Sequence, residues 1–123
     1  MLRARGWQVI GFDRCAGPNV AVTGDRFNPD DLAKVRHACP EGAIVFDLIA
    51  YEETAVQSLC NALDGKLARY VVLSTVSVYS SLGSECATEA QAVLGASDGP
   101  GYQAGKRRAE QSLTALALDV EPQ

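Results

Sequence analysis

The sequence predicts an α/β fold with a parallel sheet. Three observations predict it. Short apolar runs alternate with amphipathic stretches in the order strand, strand, helix, strand, helix, strand, helix. Residues 43–50, AIVFDLIA, are almost continuously apolar, as expected for a strand covered on both faces. Polar residues gather just beyond the strand runs, where open parallel sheets bind ligands.

The elements follow in chain order. WQVIGF (7–12) reads as a short buried strand, followed by Asp13 and Arg14. CAGPN is a loop, punctuated by Gly17 and Pro18. VAVT (20–23) is a second strand, ended by Gly24 and Asp25. Asn28-Pro29-Asp30-Asp31 is a helix start: Asn28 caps, Pro29 suits the first turn, and the two acids complement the positive end of the dipole. Lys34, Arg36 and His37 fall toward the other end, which assigns His37 to the dipole rather than to catalysis. Asp47 interrupts the run at 43–50 and calls for a partner or a place near the strand's end. Residues 52–64 form an amphipathic helix with Ala55, Val56, Leu59, Cys60 and Leu63 on one stripe, so Cys60 packs, and Gly65 stops the helix. In YVVLSTVSVYS (70–80) a buried strand turns hydroxyl-rich. Residues 81–100 read as loop with a short helical piece near 88–94. A last helix covers about 101–118, with Ala109, Leu113 and Leu116 on one side.

Size and composition narrow the classes. The 123 residues, 47% hydrophobic, suffice for one modest domain with one core. A net charge of −4 disfavours nucleic acid as a partner. The four cysteines, Cys15, Cys39, Cys60 and Cys86, form no C-x-x-C clip, and His37 is the only imidazole, which argues against a metal site and for free thiols in a reducing compartment. No apolar stretch reaches the length of a signal peptide core or a membrane span. The expectation is a cytoplasmic protein with no membrane partner.

The chemistry begins with GYQAGKRRAE (101–110). Tyr102 and Lys106 stand four residues apart on a helix and share one face. An ammonium beside a phenol favours the phenolate and makes a proton-transfer group usable near neutral pH. With four tyrosines and few lysines, the pair arises by chance about one time in ten, and a solvated helix face explains it as well. Other residues lend weight. Asp13, Asp25, Ala50-Tyr51, Thr75 and Ser77 all follow strands. Each alone has an ordinary explanation as a cap or loop hydrogen bond; together, beside Tyr102 and Lys106, they outline a site.

These stretches resemble one family in order and spacing. RGWQVIGFDR, GDRFNPDDL, VFDLIAY, VVLSTVSVY and GYQAGKRRAE are similar to the second to fifth strands and the Tyr-x-x-x-Lys helix of extended or atypical short-chain dehydrogenase/reductases, the NAD(P)-dependent epimerase/dehydratase group. The resemblance implies a Rossmann-like three-layer αβα fold with a parallel sheet, incomplete because the first strand and glycine-rich turn are absent, and a single partial NAD(P)-binding domain over 1–123. It makes Tyr102 the general acid/base and gives Lys106 the phenol and the nicotinamide ribose. Thr75, with Ser77 as a substitute, binds the substrate oxygen. Asp13 accepts from the adenosine ribose, which favours NAD, whereas Arg14 suits the 2′-phosphate of NADP; the choice stays open. Asp25 lies near the adenine and Ala50 borders the cofactor. The implied substrate is a small molecule, a nucleotide sugar in the epimerases.

The family's opening strand and G-x-x-G-x-x-G turn have no counterpart here, nor do its later strands. The chain therefore reads as an internal piece of a larger architecture: a truncated gene product, a mis-called start or a remnant, or else a chain in which a rearranged sheet or a homodimer supplies the missing strand. Two functions stand: an oxidoreductase using Tyr102, Lys106 and Thr75, and a non-catalytic module that binds a partner where the strand belongs.

Overall fold

The computed structural model describes residues 2–81 and 88–117. The chain is mixed α/β, and by its contacts it divides into two compact units, Met1–Ile44 with Ser58–Arg69 and Val45–Gln57 with Tyr70–Gln123. Cys86 lies outside the described residues.

The first unit opens with a 3-10 turn at Arg3–Arg5, then β1 (Phe12–Asp13) and β2 (Val22–Thr23), a parallel pair in which Phe12 faces Val22. The strand expected over 7–12 is thus shorter and lies later. Gly11 prepares it: its carbonyl accepts from the amides of Ala21 and Val22. A Cβ at Gly11 would fall 2.0 Å from the Asn19 carbonyl oxygen, so the two chain segments meet only because that residue is glycine. Helix α1 (Pro29–Ala38) starts as the sequence implies. The Asn28 side chain accepts from the amides of Asp30 and Asp31, and Pro29 occupies the first turn. The helix packs against β2, with Val22 and Val35 buried.

The C-terminal carbonyls of α1 and of α2 (Glu53–Ala62) are satisfied by long cations. Arg36 donates to the carbonyls of Ala62 and Asp64 at 2.8 and 2.9 Å, and Lys66 donates to those of Arg36 and Cys39 at 3.0 and 2.7 Å. Each cation thereby meets the negative end of a helix. Gly65, at φ +75°, supplies the left-handed turn after α2. The expected stripe is buried at Ala55, Val56 and Leu59 on α2 and at Leu63 just past its end, and half-buried at Cys60.

Strand β3 (Ala43–Asp47) pairs with β4 (Leu67–Val72). Ala43 donates to Lys66 O near the start of both, and Leu73 to Asp47 O near the end of both, so the two run in the same direction. The expectation that 43–50 is covered on both faces is overturned. Ile44 and Phe46 are exposed, and the buried member is Asp47. Covering both faces needs a layer on each, and nothing among the described residues covers the Ile44–Phe46 side. Asp47 ends the strand, where its carboxylate accepts from the Tyr70 hydroxyl and the Ile49 amide. Nor is β4 uniformly buried, since Val71 is exposed.

The second unit adds a 3-10 turn (Val76–Val78), the antiparallel pair β5 (Tyr79–Ser81) and β6 (Val93–Leu94), and helix α3 (Tyr102–Ala117). The helical piece expected near 88–94 is instead a tight turn on the Thr88 carbonyl followed by β6. Val93 and Leu94, a β-branched and an apolar residue in succession, find a strand partner in β5, and that tertiary pairing outweighs local propensity. Among the described residues the strands form three two-stranded sheets rather than one parallel sheet, because no described strand joins β1 to β3.

Replacing Asn28 by alanine removes the N-terminal side-chain cap of α1. Urea denaturation is expected to show a loss of about 1 kcal/mol, with Asn28→Asp retaining most of the stability.

Candidate functional site around Lys106

The site lies in the second unit and is built from α3, the segment after β3 and the segment after β4. Tyr102 and Lys106 both fall on α3, one turn apart as their spacing requires. Gly101, at φ +97°, bends the chain into the helix. Tyr102 is half-exposed, whereas Lys106 is only 2% exposed.

The buried ammonium is held on several sides. Lys106 Nζ donates to the Leu73 carbonyl at 2.6 Å. It lies 4.9 Å from the centre of the Tyr51 ring and 5.9 Å from that of Tyr102. The two rings are themselves 5.9 Å apart and tilted by 49°. Aromatic faces attract a cation through their quadrupole, most strongly where water is excluded. Burial pushes the lysine's pKa below its ordinary 10.5, against a weaker upward pull from the charges of Asp47 and Glu110.

Close packing makes this possible. A Cβ on Gly105 would lie 2.4 Å from the Tyr51 carbonyl oxygen, so only glycine lets residues 51–52 approach the helix this far. Glu52 is tied to α3 by Arg108 at 2.7 Å, and Arg108 also donates to the carbonyls of Ser97 and Gly99. Ser74 donates to Glu110, which also meets Arg107 at 2.6 Å.

Thr75 sits two residues beyond the carbonyl that holds Lys106. Its hydroxyl oxygen accepts from the Ser77 amide at 3.3 Å and caps the 3-10 turn that packs against α3. Ser77 is exposed. Ala50, beside Tyr51, has no exposed surface. Tyr51 joins the site from the strand end where the sequence placed it, whereas Asp47 and Glu110 join it without having been singled out. The signal for Glu110 was present, as it is four residues from Lys106 on the same helix face. An aromatic residue following the β3 run was the signal for Tyr51.

The expected nucleotide residues Asp13, Arg14 and Asp25 belong to the first unit. Asp13 ends β1, is exposed, and accepts from the Cys15 amide at 2.9 Å. A carboxylate keeps lone pairs beyond that one bond. Arg14 leans on Asp25 at 3.4 Å, and Asp25 also accepts from the Phe27 amide. Among the described residues no His/Cys/Asp/Glu cluster could hold a metal ion, and no helix is long and apolar enough to cross a membrane. No family model, curated protein or solved structure matches the chain.

Because folding lowers the lysine's pKa, the unfolded chain holds this proton more tightly than the folded one. Stability is therefore expected to rise with pH in the window between the lowered value and 10.5. Denaturation across that alkaline window should show this rise in the native chain and its absence in Lys106→Met.

Proposed function

We propose that the chain carries the proton-transfer end of a nicotinamide-dependent oxidoreductase site of the epimerase/dehydratase type. The observation that supports it is a buried ammonium, Lys106, one helical turn from the half-exposed phenol of Tyr102. A positive charge there stabilises the phenolate that forms when Tyr102 gives up its proton. The open side of the phenol leaves room for a substrate oxygen to come within hydrogen-bond reach.

In the reducing direction the Tyr102 hydroxyl donates its proton to the carbonyl oxygen of a small-molecule substrate as a C–H bond forms at the carbonyl carbon. In the oxidising direction the phenolate takes the proton of a substrate hydroxyl. When bound, a nicotinamide nucleotide supplies or accepts the hydride. Thr75 orients the substrate oxygen. In the first unit, taken by itself, Asp13 is the residue the resemblance offers to the adenosine ribose hydroxyls. Arg14 pairs with Asp25 only at the exposed surface, a weak pair that a 2′-phosphate can displace, so NAD and NADP both stand as the nucleotide. Nucleotide sugars are the substrate class that the sequence resemblance suggests.

Calorimetric titration with NAD⁺, NADH, NADP⁺ and NADPH is expected to give at least one Kd tighter than about 1 mM. Tyr102→Phe should keep that affinity and lose turnover by on the order of 100-fold or more. Failure of all four nucleotides to bind would end the reading.

A second reading, a non-catalytic module that pairs with another copy of this chain, is supported by the exposed apolar side chains Phe46, Leu48, Ile49, Leu73 and Val76. Sedimentation velocity is expected to show self-association in the native chain and its loss in Phe46→Lys/Leu48→Glu; a native chain that stays monomeric at high concentration overturns it.

A further inference from the structure

Tyr51 stands closer to the Lys106 ammonium than Tyr102 does, at 4.9 against 5.9 Å. Its position is set from two directions. Its own carbonyl lies against Gly105, where a side chain would collide, and its neighbour Glu52 is bound to Arg108. The ring also meets that of Tyr102. One ring thus touches both members of the Tyr102–Lys106 pair, while half of Tyr51 remains exposed.

We propose that Tyr51 is the positioning residue of this site: its ring keeps the Lys106 side chain charged and seated on the Leu73 carbonyl, so that Tyr102 works beside a fixed cation. The consequence for Tyr102 rests on the function proposed above; the effect on Lys106 does not.

Among the described residues, the charged groups facing the ammonium are Asp47 and Glu110. Asp47, at the end of β3, is engaged by Tyr70 and by the Ile49 amide. Glu110, on α3, is engaged by Ser74 and Arg107. Both acids favour the charged lysine, yet burial outweighs them. The Tyr51 ring adds attraction without adding a charge. An acid in its place would form an ion pair and pull the ammonium off the carbonyl; a ring face is non-directional enough to leave the hydrogen bond intact. The phenol hydroxyl plays no part, so phenylalanine is an adequate substitute and an aliphatic residue is not.

The test is a pH titration of lysine Cε and Nζ resonances by NMR, without cofactor or substrate. The chain has three lysines, so Lys34→Arg and Lys66→Arg assign the remaining signal. Tyr51→Leu is expected to lower the Lys106 midpoint by about 0.4 units or more, and Tyr51→Phe to leave it in place. An unchanged midpoint in folded Tyr51→Leu, or a shift in Tyr51→Phe as large as in Tyr51→Leu, overturns the proposal. Should Tyr51→Leu fail to fold, Tyr51→Trp, the stronger cation-binding ring, is expected to raise the midpoint; no rise overturns it. A chain that binds no nucleotide still gives a decisive answer here, so this proposal and the oxidoreductase reading can fail separately.

Discussion

The second unit is organised around one buried cation. An ammonium taken out of water costs several kcal/mol unless it is matched by new partners. Lys106 finds them in the Leu73 carbonyl, two aromatic faces and two nearby acids. That requirement fixes much else. The carbonyl must come from the segment just after β4, so this segment runs against α3. The rings must come from both the helix and the residues after β3, so residues 51–52 close down on Gly105. The same helix carries Glu110 to Ser74 and Arg108 to Glu52, which tie the two segments down on either side of the cation.

The other ion pairs are of a different kind. Arg14–Asp25 and Lys34–Asp31 lie at the surface, where solvent screening leaves an ion pair little net stabilisation. Arg36 and Lys66 matter more through the helix-end carbonyls they satisfy than through charge pairing, since each replaces water at groups that have no partner within their own helix. Cys39 beside them is partly buried, and that burial holds its thiol in the protonated form. A thiol so placed is a packing group and a poor nucleophile.

The exposed apolar residues bear on what the chain does. Phe46, Leu48 and Leu73 occupy the strand-end region of the second unit and stay in contact with water. Scattered singly they would need no explanation, but Phe46 on β3, Leu48 and Ile49 just beyond it and Leu73 just beyond β4 expose apolar side chains at the ends of two paired strands. Tyr102 is open to solvent as well, so the acid/base candidate and the apolar surface are both accessible in the same unit.

Local chemistry was legible wherever a residue acts on its own neighbourhood. The Asn28 cap, the Pro29 start, the Gly65 stop and the apolar stripe of α2 depend on spacing within a few residues, and they appear where the sequence puts them. So does the shared helix face of Tyr102 and Lys106. Sequence could not show which strands pair, since an apolar run reads alike whether one face or two are covered; hence Phe46 proves exposed and Asp47 buried. It could not show β6, whose identity depends on β5. Nor could it show that Lys106 is buried under Tyr51, because 55 residues separate them in the chain. By itself the sequence determined helices, caps and one candidate acid/base pair, all encoded by short-range periodicity. The tertiary structure alone decided the strand partners and the aromatic cover over the cation, because burial and hydrogen-bond partners depend on residues distant in the chain.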